Sequence, residues 1–274
     1  MGIGIMGETP LVLKTGSKSG TLNMVDCCKF RPYMMTTGKK MRSRQYIDEV
    51  ILMRDRVENW DVYPYSVPSI RNLDRLSLAQ PVTFFFGDNA SGKTTLLEAI
   101  ARLSGLNLEG GSRRHSFSNT GRTSQLAEAI RLHGGGITMS RGNAFFYRAD
   151  LFSHFMRSIS SLDLTTLSRG EAFHTLVDSN FNESGLYLLD EPEVALPPLQ
   201  QLAFLRILHE LVEKGSQLVI VSHSPILLAY PGAVLYELSE TGIRQNDYES
   251  TDHYRTMHAF MLNREKVLHD LLTQ

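Results

Sequence analysis

Cysteine is nearly missing from this 274-residue sequence: there are two, Cys27 and Cys28, and they are adjacent. Neighbouring cysteines are poorly placed to bridge each other, and no Cys/His spacing resembles a zinc site. Neither a disulfide framework nor a structural zinc therefore holds the fold, and the expected compartment is the reducing cytoplasm. A long apolar run is missing too. The most apolar stretch, Leu218 to Leu238, is interrupted by Ser222-His223-Ser224-Pro225 and Pro231-Gly232, so it does not span a bilayer unaided. Met1–Leu13 lacks a basic segment leading into an apolar run, which argues against a signal peptide. Excess charge of one sign is also absent. With 28 Lys+Arg against 29 Asp+Glu the net charge is −1, so no global field draws the chain onto nucleic acid.

What charge there is lies unevenly. Residues 1–44 hold eight basic side chains (Lys14, Lys18, Lys29, Arg31, Lys39, Lys40, Arg42, Arg44) against Glu8 and Asp26, a net of +6. The remainder then carries 20 basic and 27 acidic residues, a net of −7. This shift marks a boundary near residue 44. Residues 1–44 show neither helical nor strand period and read as a disordered basic tail, or as sequence upstream of a start at Met41. A basic arm that touches nucleic acid or a partner is the other reading.

Apolar residues make up 42% of the chain, ample for a core over residues 45–274. Tyr46–Met53 alternates as a strand, and a short strand is expected around Leu73–Leu78. Pro81-Val82-Thr83-Phe84-Phe85-Phe86, Leu186–Leu189 and Leu218–Val221 are continuous apolar runs of the kind buried in a parallel sheet. Helical pattern covers Thr94–Leu103, Ser124–Leu132, Phe152–Ile159, Leu199–Lys214 and the C-terminal segment, while Val234–Leu238 opens a small hairpin. Strands alternating with helices predict an α/β fold with a mostly parallel sheet and a partly helical lobe at about 105–180.

Gly87-Asp88-Asn89-Ala90-Ser91-Gly92-Lys93-Thr94 fits the phosphate-binding loop G-x-x-x-x-G-K-[ST], with a buried strand before it and a helix after it. Glycines let the backbone wrap closely so that successive N–H groups face phosphate, and the helix start adds partial positive charge. Lys93 is expected on the β- and γ-phosphates of ATP, and the Thr94 hydroxyl on Mg²⁺. Thr95 belongs with this nucleotide-binding set. Leu186-Tyr187-Leu188-Leu189-Asp190-Glu191-Pro192 is an apolar strand ending in two acids. Asp190 would hold Mg²⁺ through water and Glu191 would polarise the attacking water. His223 ends the next strand, 32 residues after Glu191, where its imidazole is expected to face the γ-phosphate. Ser168-Arg169-Gly170-Glu171 starts a helix that Ser168 would cap, and alone it is no more than an N-cap with an acid in the first turn. Trp60, Tyr63 and Tyr65 lie 22–27 residues before Gly87, a distance that suits either an adenine platform or ordinary packing. Arg113, Arg114 and Arg122 sit in a Ser/Gly-rich stretch that reads as a solvated loop or a phosphate-backbone contact.

From about Tyr46 to Leu272 these segments resemble the ABC-type P-loop ATPase heads, within them the soluble branch of chromosome-maintenance, repair and phage-defence ATPases. The chain looks most like the small bacterial "predicted AAA-family ATPase" proteins. The resemblance also runs through Arg71-Asn72-Leu73, Phe146-Tyr147-Arg148-Ala149-Asp150, Glu193-Val194-Ala195-Leu196, and Ala229-Tyr230-Pro231-Gly232. It implies that Ser168–Glu171, 22 residues before Asp190, is the signature segment that reaches the γ-phosphate held by a second subunit. It further implies an ATP-dependent homodimer that drives a protein partner or a nucleic-acid transaction, with no membrane role. Three positions depart from the pattern: Arg169 replaces a glycine of the signature, Pro197 replaces the aspartate that ends the D-loop, and no glutamine marks the Q-loop. Asp150 or a carbonyl near Ala149 is the expected stand-in there. The 74 residues between Lys93 and Ser168 carry no sustained heptads, so the long arms of chromosome-maintenance proteins are not inserted between them. An ATP-gated switch with little turnover and the nucleotide subunit of a transporter remain the alternatives, the latter weakened by the missing glutamine.

Overall fold

The computed structural model describes residues 11–15, 18–22, 46–113, 123–134, 143–150, 180–181 and 184–273. The chain divides into two compact units, residues 1–42 and 43–274. In the first, β1 (Leu11–Thr15) and β2 (Lys18–Leu22) pair antiparallel, from Leu11↔Leu22 to Thr15↔Lys18. The described residues of this segment thus include a two-stranded ladder, which is built from backbone bonds and does not need an alternating side-chain pattern.

The second unit contains two sheets. Strands β3 (Glu49–Leu52), β4 (Arg75–Ser77) and β7 (Ile130–His133) form an antiparallel sheet in the order β4-β3-β7. The larger sheet comprises β5 (Val82–Phe86), β6 (Gly111–Ser112), β8 (Asn143–Arg148), β9 (Gly185–Asp190), β10 (Gln217–Val221), β11 (Val234–Ser239) and β12 (Gly242–Asn246). Its order is β12-β11-β5-β10-β9-β8-β6. The five inner strands are mutually parallel and the two edge strands antiparallel. The expected mostly parallel α/β sheet is therefore present. Five parallel strands deliver their carboxyl ends to one edge, the usual place for a ligand in such a sheet.

Alternation explains why β5 is a run of apolar residues. Phe85 packs on one face with Leu188, Val219 and Val221, against Leu96, Leu97 and Ile100 of a helix. Phe84 and Phe86 pack on the other face with Leu189, Leu218 and Ile220, against Phe204, Leu208 and Leu211. Each such buried side chain contributes roughly 1.5–3 kcal/mol. The short helix α1 (Pro68–Arg71) precedes β4, and α2 (Lys93–Leu103) covers the first face beside the small sheet. Next comes α3 (Gln125–Ala129), and α4 (Pro198–Glu213) covers the second face. Then follow α5 (Pro225–Leu228), α6 (Asp252–Leu262) and α7 (Arg264–Leu272). No described helix is long and apolar enough to cross a membrane.

Within the expected lobe at 105–180, the described part contributes strands as well as a helix. The expected helix Ser124–Leu132 stops at Ala129, and Ile130–His133 continues as β7, paired with β3. The run Phe146–Asp150 sits on and just past β8, an inner strand of the main sheet. The helix expected at Phe152–Ile159 and the signature segment lie outside the described residues.

Candidate functional site

Strand β5 leads into the phosphate loop through Gly87, whose backbone is left-handed at φ 126°. A Cβ there would collide with the carbonyl oxygen of Leu238 on the neighbouring strand, so the loop leaves the sheet only because this residue has no side chain. Gly92, at φ 94°, caps α2 with no side-chain bond, and a Cβ there would lie 2.9 Å from Ser69 Oγ. That Oγ donates to the Ser91 carbonyl, tying α1 to the loop. The first-turn N–H groups of α2 are thus open to a ligand along the helix axis.

Lys93 is buried at the start of α2, and its Nζ donates to the carbonyls of Gly87 (2.9 Å) and Asp88 (2.6 Å). Burial pushes its pKa down, against the pull of Glu191, Asp190 and Asp88. Asn89 and Ala90 are exposed at the loop tip, Ala90 with φ 62°. Thr94 Oγ1 donates to Asp190 Oδ1 at 3.1 Å, joining the loop to the end of β9 across the intervening strand β10. Thr95 Oγ1 lies 2.6 Å from the hydroxyl of Tyr63. Of the three aromatic candidates, Tyr63 alone stands beside α2 with an open ring, 62% exposed. Tyr65 is buried, with its hydroxyl on the Gln125 carbonyl, and Trp60 lies under the Arg54 guanidinium.

Asp190 is only 5% exposed. Burial raises its pKa to about 7, opposed by the Arg148 charge and the Thr94 hydrogen bond. Arg148, the residue in register with Asp190 on β8, was not singled out by sequence reasoning. Its buried guanidinium bonds to Glu98 and grips Asp150 twice, Nε to Oδ1 at 3.0 Å and Nη2 to Oδ2 at 2.8 Å. Asp150, the expected stand-in for the Q-loop glutamine, is thus held one strand away from Asp190 by Arg148.

Glu191 follows in a left-handed backbone conformation (φ 50°, ψ 53°), its N–H bonded to the Val221 carbonyl at 3.0 Å. That turn faces its carboxylate toward the end of β10, where His223 Nε2 lies 3.6 Å from Glu191 Oε1. The backbone N–H of His223 donates to Glu193 Oε1 at 2.6 Å, fixing the loop after β10 to the turn after β9. Burial lowers the His223 pKa, helped by the Lys93 charge. The Nδ1 side of the ring faces His253 of α6, a residue that sequence reasoning passed over. Among the loop arginines, Arg113 turns inward, its Nε on the Ser104 carbonyl at 2.9 Å, while Arg114 and Arg122 fall outside the described residues.

Among the described residues no group of three or more His, Cys, Asp or Glu converges as a metal site. The pair Thr94 Oγ1 and Asp190 Oδ1 is a hard oxygen set that suits Mg²⁺, which takes few protein ligands and completes its shell with water and substrate phosphate.

Residues 57–145, spanning the phosphate loop and α2, match the family described as AAA domain. A metal-chelate type ABC transporter in an inward-facing conformation aligns at 14% identity with TM-score 0.46, over 78% of this chain and 88% of that one. The SMC head domain from Thermotoga maritima aligns at 14% identity with TM-score 0.43, over 74% of this chain and 99% of that one. No curated protein matches the chain. The matched residues take in the phosphate loop that is bonded to the acid at the end of β9, while Glu191 and His223, beside that acid, lie outside them.

Proposed function

We propose that the chain binds Mg·ATP at Gly87–Thr95 and hydrolyses it with Glu191 as base and His223 as the residue that holds the water in line. The observation that carries this reading is the 3.1 Å bond from Thr94 to Asp190, in which two oxygens suited to a cation meet, one from the start of α2 and one from the end of β9, with Glu191 and His223 alongside. Lys93 would release its two carbonyls to take phosphate oxygens, and the α2 N–H groups would complete the anion cradle. Mg²⁺, when bound, neutralises phosphate charge. Glu191 accepts the proton of the water that attacks the γ-phosphorus while the bond to the β–γ bridging oxygen breaks, giving ADP and phosphate. The exposed Tyr63 ring, tethered to Thr95, is placed to stack on adenine.

The γ-phosphate end of such a site stays open until something covers it. In this proposal a second copy does so, with Ser168, Arg169, Gly170 and Glu171 as the trans signature and two ATP molecules in the shared interface. The dimer would drive a protein partner or a nucleic-acid transaction. Exposed Val194, Leu199 and Leu202, next to Glu191 in the chain and on α4, give apolar surface suited to such a contact.

Lys93→Ala is expected to abolish ATP binding. Glu191→Gln should retain it while hydrolysis falls by on the order of 10²-fold or more. By light scattering, Glu191→Gln should be monomeric with ADP and dimeric with Mg·ATP, and a further Ser168→Arg change should block that dimer. Full hydrolysis by Glu191→Gln would remove the assigned base, and equal dimerisation with and without Ser168→Arg would remove the shared site.

A further inference from the structure

Helix α6 begins with a cap that fixes its first turn. Thr251 Oγ1 accepts from Tyr254 N–H at 3.2 Å and donates to the Tyr248 carbonyl at 2.7 Å, and the residue is buried. The second residue of the helix, His253, is thereby set edge-on against Phe86, the last residue of β5, with ring centroids 5.8 Å apart and planes at 83°. Its Nε2 lies 3.4 Å from Nδ1 of His223. Its other nitrogen, Nδ1, is buried without a hydrogen-bond partner.

Burial pushes both imidazoles below their ordinary pKa, so both are neutral near pH 7 and one proton is shared in the bond between them. Two arrangements exist. If His223 Nδ1–H donates, His253 must carry its proton on Nδ1, a buried donor with no acceptor. His223 Nε2 would then turn a bare lone pair toward the Glu191 carboxylate 3.6 Å away. If His253 Nε2–H donates, a lone pair is orphaned at His253 Nδ1, and His223 carries its proton on Nε2, buried without a hydrogen-bond partner but facing the Glu191 carboxylate at 3.6 Å. Each arrangement leaves one buried donor without a partner, but only the second aims that donor at a carboxylate, whereas in the first two acceptors face each other and repel. The second arrangement wins.

We infer that His253 is a positioning residue that locks His223 in the Nε2–H tautomer, so that the start of helix α6 sets the hydrogen-bond direction of the residue facing Glu191. This rests on the proposed role of His223 in hydrolysis, and it makes the C-terminal helical segment part of the catalytic apparatus. His223 donates from Nε2 to the γ-phosphate or the in-line water without first having to move a proton.

The test pairs His253→Phe, which keeps a ring against Phe86 and removes the donor, with His253→Gln, which restores an N–H at the same reach. His253→Phe should lower kcat by roughly 10-fold or more, the usual effect of losing an outer-shell partner, with KM for ATP unchanged. His253→Gln should recover most of it. Nitrogen-15 histidine spectra of the wild-type protein should show His223 with a protonated Nε2 and a bare Nδ1. Wild-type kcat in His253→Phe overturns the inference, as does equal impairment of the two variants at unchanged melting temperature. So does a wild-type His223 carrying its proton on Nδ1, a result independent of how either variant folds. Glu191→Gln and His223→Ala separate the two levels. If both hydrolyse ATP normally, the catalytic reading itself fails; if both are inactive and His253→Phe is normal, only the role of His253 fails.

Discussion

Replacing Gln217 by leucine, at the start of an inner strand of the main sheet, should be strongly destabilising. Gln217 is the first residue of β10 and is 1% exposed. Its Oε1 accepts from the N–H groups of Tyr46 (2.9 Å) and Ile47 (2.8 Å), and its Nε2 donates to the carbonyls of Ile47 (2.7 Å) and Leu78 (2.6 Å). That is the full capacity of the amide, spent on buried backbone that leads into β3 and out of β4. The side chain is a clamp between the two sheets. Leucine keeps much of the volume and removes all four bonds. At about 1 kcal/mol net for each bond, the loss is about 4 kcal/mol. Against a typical total of 5–15 kcal/mol this is a large share, and at about 2–4 °C per kcal/mol the melting temperature should fall by roughly 8–16 °C. Urea unfolding followed by circular dichroism, with the wild-type slope as control, measures it. A loss below about 1 kcal/mol at unchanged slope would refute the clamp, because water or backbone relaxation must then satisfy all four groups.

Two further outcomes follow from the site. Gly87→Ala forces a Cβ into the Leu238 carbonyl at a left-handed backbone position. The variant should lose more than about 2 kcal/mol of stability and bind ATP poorly, and wild-type melting with wild-type ATP titration would contradict this. For Asp190 the folded pKa of about 7 lies above the unfolded value, so the native state holds the extra proton. Its contribution to stability is fully present below about pH 4 and is lost as pH rises through 7. The melting temperature of the nucleotide-free protein should therefore fall between pH 5 and 8, and Asp190→Asn should flatten that slope. Parallel slopes in the two proteins would show that the carboxyl is not the group responsible.

Strands β5, β9 and β10 were legible in the sequence because both their faces are covered, which leaves unbroken apolar runs bounded by turn residues. The phosphate loop and the acids after β9 were legible because their spacing is fixed by one turn each. Strand β8 was not, since Asn143–Arg148 follows a glycine-rich stretch and ends in a charge whose burial depends on Glu98 and Asp150. Strand β7 was hidden for a different reason: four alternating residues directly after a one-turn helix continue its apolar pattern. Gln217 and His253 act through contacts 30 to 171 residues distant in the chain, and nothing in their local sequence marks them; Arg148 lies in the run Phe146–Asp150, but its bond to Glu98 joins residues 50 apart.

Strand β10 lies between β5 and β9 but is synthesised after both. On the ribosome, the strand that ends in the phosphate loop and the strand that ends in Asp190 have no common neighbour until residue 221 has emerged. Until then each presents an open ladder of backbone groups flanked by Phe84, Phe86 and Leu189, the kind of edge that recruits chaperones or other nascent chains. On the proposed reading nucleotide cannot assist that waiting chain, because the threonine and the acid that would receive its metal meet only once the gap is filled. Affinity for ATP would then be acquired in a single late step of biogenesis, and a chain stopped before residue 221 should be a client for quality control rather than a weak binder.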